Sequence, residues 1–127
     1  MAVTVDEVRA VAASLPRAYE VVVRGRLKFR VGQIVFLAFA PDGETVGLGF
    51  PKDWRAAAVE SEPATFALPR ESDLRFNWIH VRLAALEHEE MVDLVEDAWA
   101  LCVPTFLVEA RRRASRLRAA ARRDEKA

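Results

Sequence analysis

Cysteine is nearly absent from this chain: Cys102 stands alone among 127 residues, so no intramolecular disulfide is available. Its neighbours Leu101 and Val103 point to a buried thiol rather than a reactive one. Histidine is almost as scarce, with His80 and His88 only, and no serine or cysteine nucleophile has a recognisable base beside it. The five glycines form no phosphate-cradling loop; Gly43, Gly47 and Gly49 belong to a hairpin and its strand. No apolar run approaches the roughly 18 to 20 residues of a membrane span. The segment Met1 to Glu7 lacks the basic start and apolar core of a signal peptide, so the expected location is the cytoplasm. Together these absences argue against redox chemistry, nucleophilic catalysis and membrane insertion, and the expectation is a protein that is not an enzyme.

Net charge is also missing, yet the zero is a sum of opposites. Residues 1–110 hold 11 Lys/Arg against 17 Asp/Glu, whereas residues 111–127 hold 8 against 2. A basic tail on an acidic body serves a polyanion or docks on an acidic surface. With 52% hydrophobic and 30% charged residues, the length suits one domain with one core.

The clearest pattern runs from Phe76 to Leu83. Period-two alternation sends Ile79, Val81 and Leu83 to one face and Phe76, Trp78, His80 and Arg82 to the other. The first face is core. The second is too polar for an interior and too aromatic for ordinary solvent exposure, which makes it the candidate working surface.

Upstream, Thr4-Val5-Asp6-Glu7 reads as a capping box opening a helix that Pro16 closes. Four β-branched segments follow: Tyr19 to Arg24, Leu27 to Val31, Ile34 to Ala40 and Thr45 to Phe50. Their short Gly- and Pro-containing turns predict an antiparallel meander. Pro51 to Val59 predicts a second helix, Ala64 to Leu68 a brief strand, and Pro69 to Arg75 a loop. Glu87 to Val103 predicts a third helix with Met91, Leu94, Val95, Ala98 and Cys102 on its buried stripe. Beyond Pro104, Ala110, Ala114, Leu117 and Ala121 offer only a narrow stripe, so a frayed helix is expected there. Gly47 and Gly49 leave one sheet face bare, where an aromatic such as Trp54 is expected to lie, with a small-ligand pocket between them as one further reading.

This order of elements resembles the MmcQ/YjbR family. The supporting residues are Ala13-Ser14-Leu15-Pro16, Lys28-Phe29-Arg30-Val31-Gly32, Asn77-Trp78-Ile79-His80-Val81-Arg82-Leu83, and Glu96-Asp97-Ala98-Trp99 running to Val103-Pro104. The resemblance implies a CyaY-like (frataxin-like) α+β fold and DNA binding, with no catalytic residues to carry over. The expected architecture is therefore one α+β domain over residues 1–107, an antiparallel meander sheet with helices mainly on one face. A basic Ala/Arg-rich tail, residues 108–127, follows as a helical or frayed segment.

The expected function is a non-enzymatic binding module for nucleic acid, DNA by the resemblance. Lys28, Arg30 and Arg82 with the tail residues Arg111, Arg112, Arg113 and Arg116 would neutralise phosphates, while Trp78 and His80 supply stacking and polar contact. The opposing possibility buries Phe76 and Trp78 beneath a helix and leaves Lys28 and Arg30 merely solvated. The alternative function is a protein interaction module or homo-oligomer whose basic helix docks on the acidic third helix. There Glu89, Glu90, Asp93, Glu96 and Asp97 cluster, but Glu89, Asp93 and Asp97 lie opposite the buried stripe, so no metal site and no cofactor are expected.

Overall fold

The computed structural model describes residues 2–126. Helix α1, Val5–Ser14, opens as its capping residue directs, with Thr4 Oγ1 accepting from the Glu7 amide at 3.2 Å. Val8 and Ala12 are buried. The chain then forms strands β1 (Ala18–Val23), β2 (Arg26–Val31), β3 (Ile34–Phe39) and β4 (Thr45–Gly49), each antiparallel to the one before. Arg24 and Gly25 both take positive φ, 52° and 76°, the pairing that a two-residue type I′ hairpin requires. Between Phe29 and Arg30 the β2–β3 register slips, and both Phe36 and Leu37 are buried.

Helix α2, Lys52–Ser61, and the two-residue strand β5, Phe66–Ala67, carry the chain across to β6, Trp78–Arg82. A 3-10 turn, Glu71–Asp73, lies in the loop before β6. The six-stranded sheet has the order β1-β2-β3-β4-β6-β5, so one internal pairing, β4 with β6, joins strands that are not consecutive. Strand β6 begins two residues later than the alternation predicts and ends one earlier, since Leu83 starts a second 3-10 turn.

Helix α3, His88–Ala100, lies with α1 on one face of the sheet. That face supplies the core: Phe29, Leu37, Val46, Leu48, Ile79 and Val81 are almost wholly buried, as the alternation predicts. The predicted stripe on α3 is right at Met91, Val95 and Ala98 but misses Trp99, which is the largest fully buried side chain. Its Nε1 donates to the Pro16 carbonyl at 2.8 Å, tying α3 to the turn after α1. Truncating a buried tryptophan costs about 3–5 kcal/mol.

The third helix stops at Ala100, three residues short of the prediction, and residues 101–104 turn the chain. The tail is helical: α4 runs unbroken from Thr105 to Lys126, about 33 Å at 1.5 Å per residue. Its first turns are anchored. Leu107 and Val108 pack against the core, Arg17 stands 6.0 Å from the Phe106 ring centroid, and Arg111 pairs with Glu96 at 3.2 Å. Alanine and arginine are strong helix formers, which sustains the exposed remainder.

Candidate functional site

The sheet face opposite α1 and α3 holds a concavity of about 750 Å³. Three central positions create it. Ala38 pairs with Gly47 across β3 and β4, and Gly49 follows two residues on, so the middle of this face carries nothing larger than a methyl group. Longer side chains rise around that floor: Lys28 and Arg26 from β2, Trp78 and His80 from β6, and Arg70, Asp73 and Phe76 from the loop before β6. Leu101 and Cys102, at the corner between α3 and α4, close one end.

Trp78 sets the shape of this slot. A β-carbon built on Gly47 would lie 2.6 Å from indole Nε1, 2.7 Å from Cζ2 and 2.8 Å from Cε2. The indole therefore lies against the Gly47 backbone, in space that only a glycine leaves open. The aromatic expected over the bare glycines was Trp54. That expectation fails, because Trp54 is 70% exposed on α2 and the strand's own Trp78 takes the place. Gly49 instead faces the end of α3, where a β-carbon would meet the Ala98 carbonyl oxygen at 3.4 Å.

The rim is held from behind by α2. The Asn77 side-chain oxygen accepts from the Lys52 amide at 3.0 Å, capping a helix whose own capping residue, Pro51, has no polar side chain. Arg55, only 8% exposed, donates to the carbonyls of Leu74, Phe76 and Trp78. Its guanidinium fixes the backbone from which Phe76 and Trp78 project.

The slot is positive in balance. Arg26 donates to the Phe39 carbonyl at 3.2 and 3.3 Å, and Arg70 is paired with Asp73 at 3.0 Å. Lys28 has no ion pair or side-chain hydrogen bond among the described residues, which leaves its ammonium available to a ligand. Burial pushes the His80 pKa below its ordinary value, Asp73 opposes that shift, and Arg26 and Arg70 add to it. A neutral imidazole offers one donor and one acceptor. Burial also raises the Cys102 pKa, so the thiol stays protonated at neutral pH.

The structure gathers Lys28, Trp78 and His80 and separates the other expected residues from them. Arg82 turns aside at the end of β6 to donate to the Pro63 carbonyl at 2.9 Å. Arg30 stands beyond the slot, opposite Tyr19 and Val35, and its Nε is buried without a partner. Arg111, Arg112, Arg113 and Arg116 lie on α4, which follows α3 on the helical side of the sheet. Of these, Arg111 is spent on Glu96, while Arg112, Arg113 and Arg116 remain exposed. Phe76 is 51% exposed with the Arg75 guanidinium 4.8 Å from its ring centroid, and Trp78 is half-buried, so neither lies sealed under a helix. Sequence reasoning missed Arg26, Arg70 and Asp73. Arg26 shares strand parity with Lys28 and was within reach; the two loop residues carried no periodic signal.

The α3 carboxylates do not converge. Among the described residues no group of three or more His, Cys, Asp or Glu is placed to hold a metal ion, and no helix is long and apolar enough to cross a membrane.

An antiparallel sheet with helices packed on one face and a concave open face on the other defines a small α+β domain. The YjbR family model matches residues 13–101, and the chain belongs to that family. The slot residues named above lie within the matched segment, except Cys102, and α4 lies outside it. The fold is similar to that in the crystal structure of Deinococcus radiodurans protein DR2400, which carries the domain DUF419. The TM-score is 0.67 and the identity 20%, over 77% of this chain and 77% of that one. No curated protein matches the chain.

Proposed function

We propose that this protein is a non-enzymatic binding module for nucleic acid, with the open sheet face and the exposed arginines of α4 as separate contact surfaces. The observation that carries the proposal is the placement of an indole and a free ammonium in one cationic concavity, Trp78 beside Lys28, with Arg26 and His80 at hand. Aromatic rings accept unstacked bases and cations accept phosphates. Arg112, Arg113, Arg116, Arg118, Arg122 and Arg123 add a long-range attraction that requires no base reading.

Fluorescence anisotropy of labelled DNA and RNA across a salt series tests this. Binding should weaken steeply with salt, and replacing the six exposed α4 arginines by glutamine should flatten the log–log slope by up to about 5.4 for duplex DNA. Absence of binding at low salt for every oligonucleotide would refute the proposal.

A second reading has one observation in its favour. Arg118 and Arg122 stand seven and eleven residues after Arg111, on nearly the same side of α4, whereas Glu89 and Asp93 of α3 have no cation within ion-pair distance among the described residues. Charge matching of this kind suits reciprocal docking of α4 on α3 between two copies. Light scattering separates the readings, because a mass that halves in the glutamine variant, without nucleic-acid binding by the parent protein, favours assembly.

A further inference from the structure

We infer that the sheet-face slot takes one unpaired nucleobase against the Trp78 ring, with the adjoining phosphate on Lys28, so that this surface selects single strands over duplex. The inference rests on the nucleic-acid reading and assigns the ligand unit of that site.

Size is the first argument. At about 750 Å³ the concavity falls within the range of roughly 300–1,000 Å³ typical of sites for single small molecules. Its floor, Ala38 and Gly47, lies deep because neither residue carries a side chain beyond a methyl group. A duplex stacks its bases inside a cylinder and presents phosphates outward, so no base face reaches such a floor. A base swung out of a single strand does, and it meets the half-buried Trp78 ring that lines the slot.

Charge is the second argument. Asp73 neutralises Arg70, whereas Arg26 keeps its charge while donating to the neutral Phe39 carbonyl; among the described residues that leaves Arg26 and Lys28 of β2 as the uncompensated cations lining the slot, with Lys28 directly across from the floor residue Ala38. Two cations two residues apart on one strand suit a single phosphate, and Lys28 is the one whose donors are all unspent. A surface built to follow a backbone would display a longer row, as α4 does.

The third argument is polar. Pairing sets His80 opposite Gly47, so its imidazole stands beside the space a base would fill. As a neutral group with a donor and an acceptor, it is suited to a base edge rather than to a second phosphate.

The test uses the full chain and anisotropy of a labelled 12-nucleotide single strand and its duplex at one salt concentration, with unlabelled mononucleotides as competitors. The single strand should bind at least tenfold more tightly, millimolar mononucleotide should displace it, and both Trp78→Ala and Lys28→Ala should remove the preference while leaving weak duplex binding in place. Lys28→Ala guards against a folding failure of the tryptophan variant, because Lys28 makes no side-chain bond that folding needs. Equal or tighter duplex binding, or a single-strand preference untouched by both substitutions, overturns the slot assignment while sparing nucleic-acid binding through α4. Binding to no oligonucleotide at all overturns the underlying reading as well.

Discussion

Indole Nε1 of Trp78 sits 2.6 Å from where a β-carbon on Gly47 would be, so the indole uses the volume that the neighbouring strand's glycine leaves open. In Gly47→Ala the indole must move, and its half-exposed ring has the concavity to move into. Stability should therefore change by less than about 1.5 kcal/mol in urea unfolding, whereas the displaced ring occupies the slot and lowers single-strand affinity about tenfold. A large stability loss with unchanged affinity would show that the ring is locked and the slot is not the binding surface.

Arg55 is a buried cation with no carboxylate partner among the described residues, held by three carbonyls in and just before β6. Arg55→Met keeps much of the volume and removes every donor, which strands those acceptors. The expected cost is about 2–4 kcal/mol, read from the urea midpoint. Because the same carbonyls fix the slot rim, ligand affinity should fall even at temperatures where the variant is fully folded.

Acid should affect the α3–α4 contact through Asp97. Burial raises its pKa, and Asp93 and Glu96 raise it further while Arg112 opposes them. A carboxyl whose pKa is higher folded than unfolded binds more protons in the native state, so its contribution to stability is present at low pH and is lost as pH rises above the ordinary value of 3.8. Asp97→Asn should therefore melt higher than the parent at neutral pH and no higher near pH 3, a comparison of thermal melts across pH.

His80 provides the opposite sign for binding. Its folded pKa is depressed, chiefly by burial, and a base edge that takes both a donor and an acceptor from the ring favours the neutral imidazole and lowers it further. Ligand uptake then releases a proton wherever the free imidazole is charged, so affinity should fall as pH drops from neutral toward about 5.5, by at most about tenfold per unit. His80→Gln should give a flat profile in the same titration.

Local pattern carried much of this architecture. The capping residue Thr4 and the alternation from Ile79 to Val81 each act within a few residues and appear where expected, while the first hairpin turn, expected at Gly25-Arg26, falls one residue earlier at Arg24-Gly25. Family membership was equally legible, because it rests on several local segments in a fixed order. Arg55 shows where such reading stops. On an alanine-rich helix it resembles any surface arginine, and only the loop folded behind α2 supplies the carbonyls that bury it. Trp99 fails for a related reason: it lies beside the apolar stripe of α3, and the turn at Pro16 makes room for it.

Strand parity alone established that Trp78 and His80 share a side and that Lys28 and Arg30 share another, since successive side chains must alternate along an extended backbone. Which of those pairs would meet was left to the ladder β2-β3-β4-β6, whose last step joins β4 to a strand arriving through α2 and β5. That pairing set Gly47 beneath the indole, brought Lys28 to the slot and left Arg30 and Arg82 outside it. Register between distant strands depends on how the whole core packs at once, and no short stretch of chain encodes it.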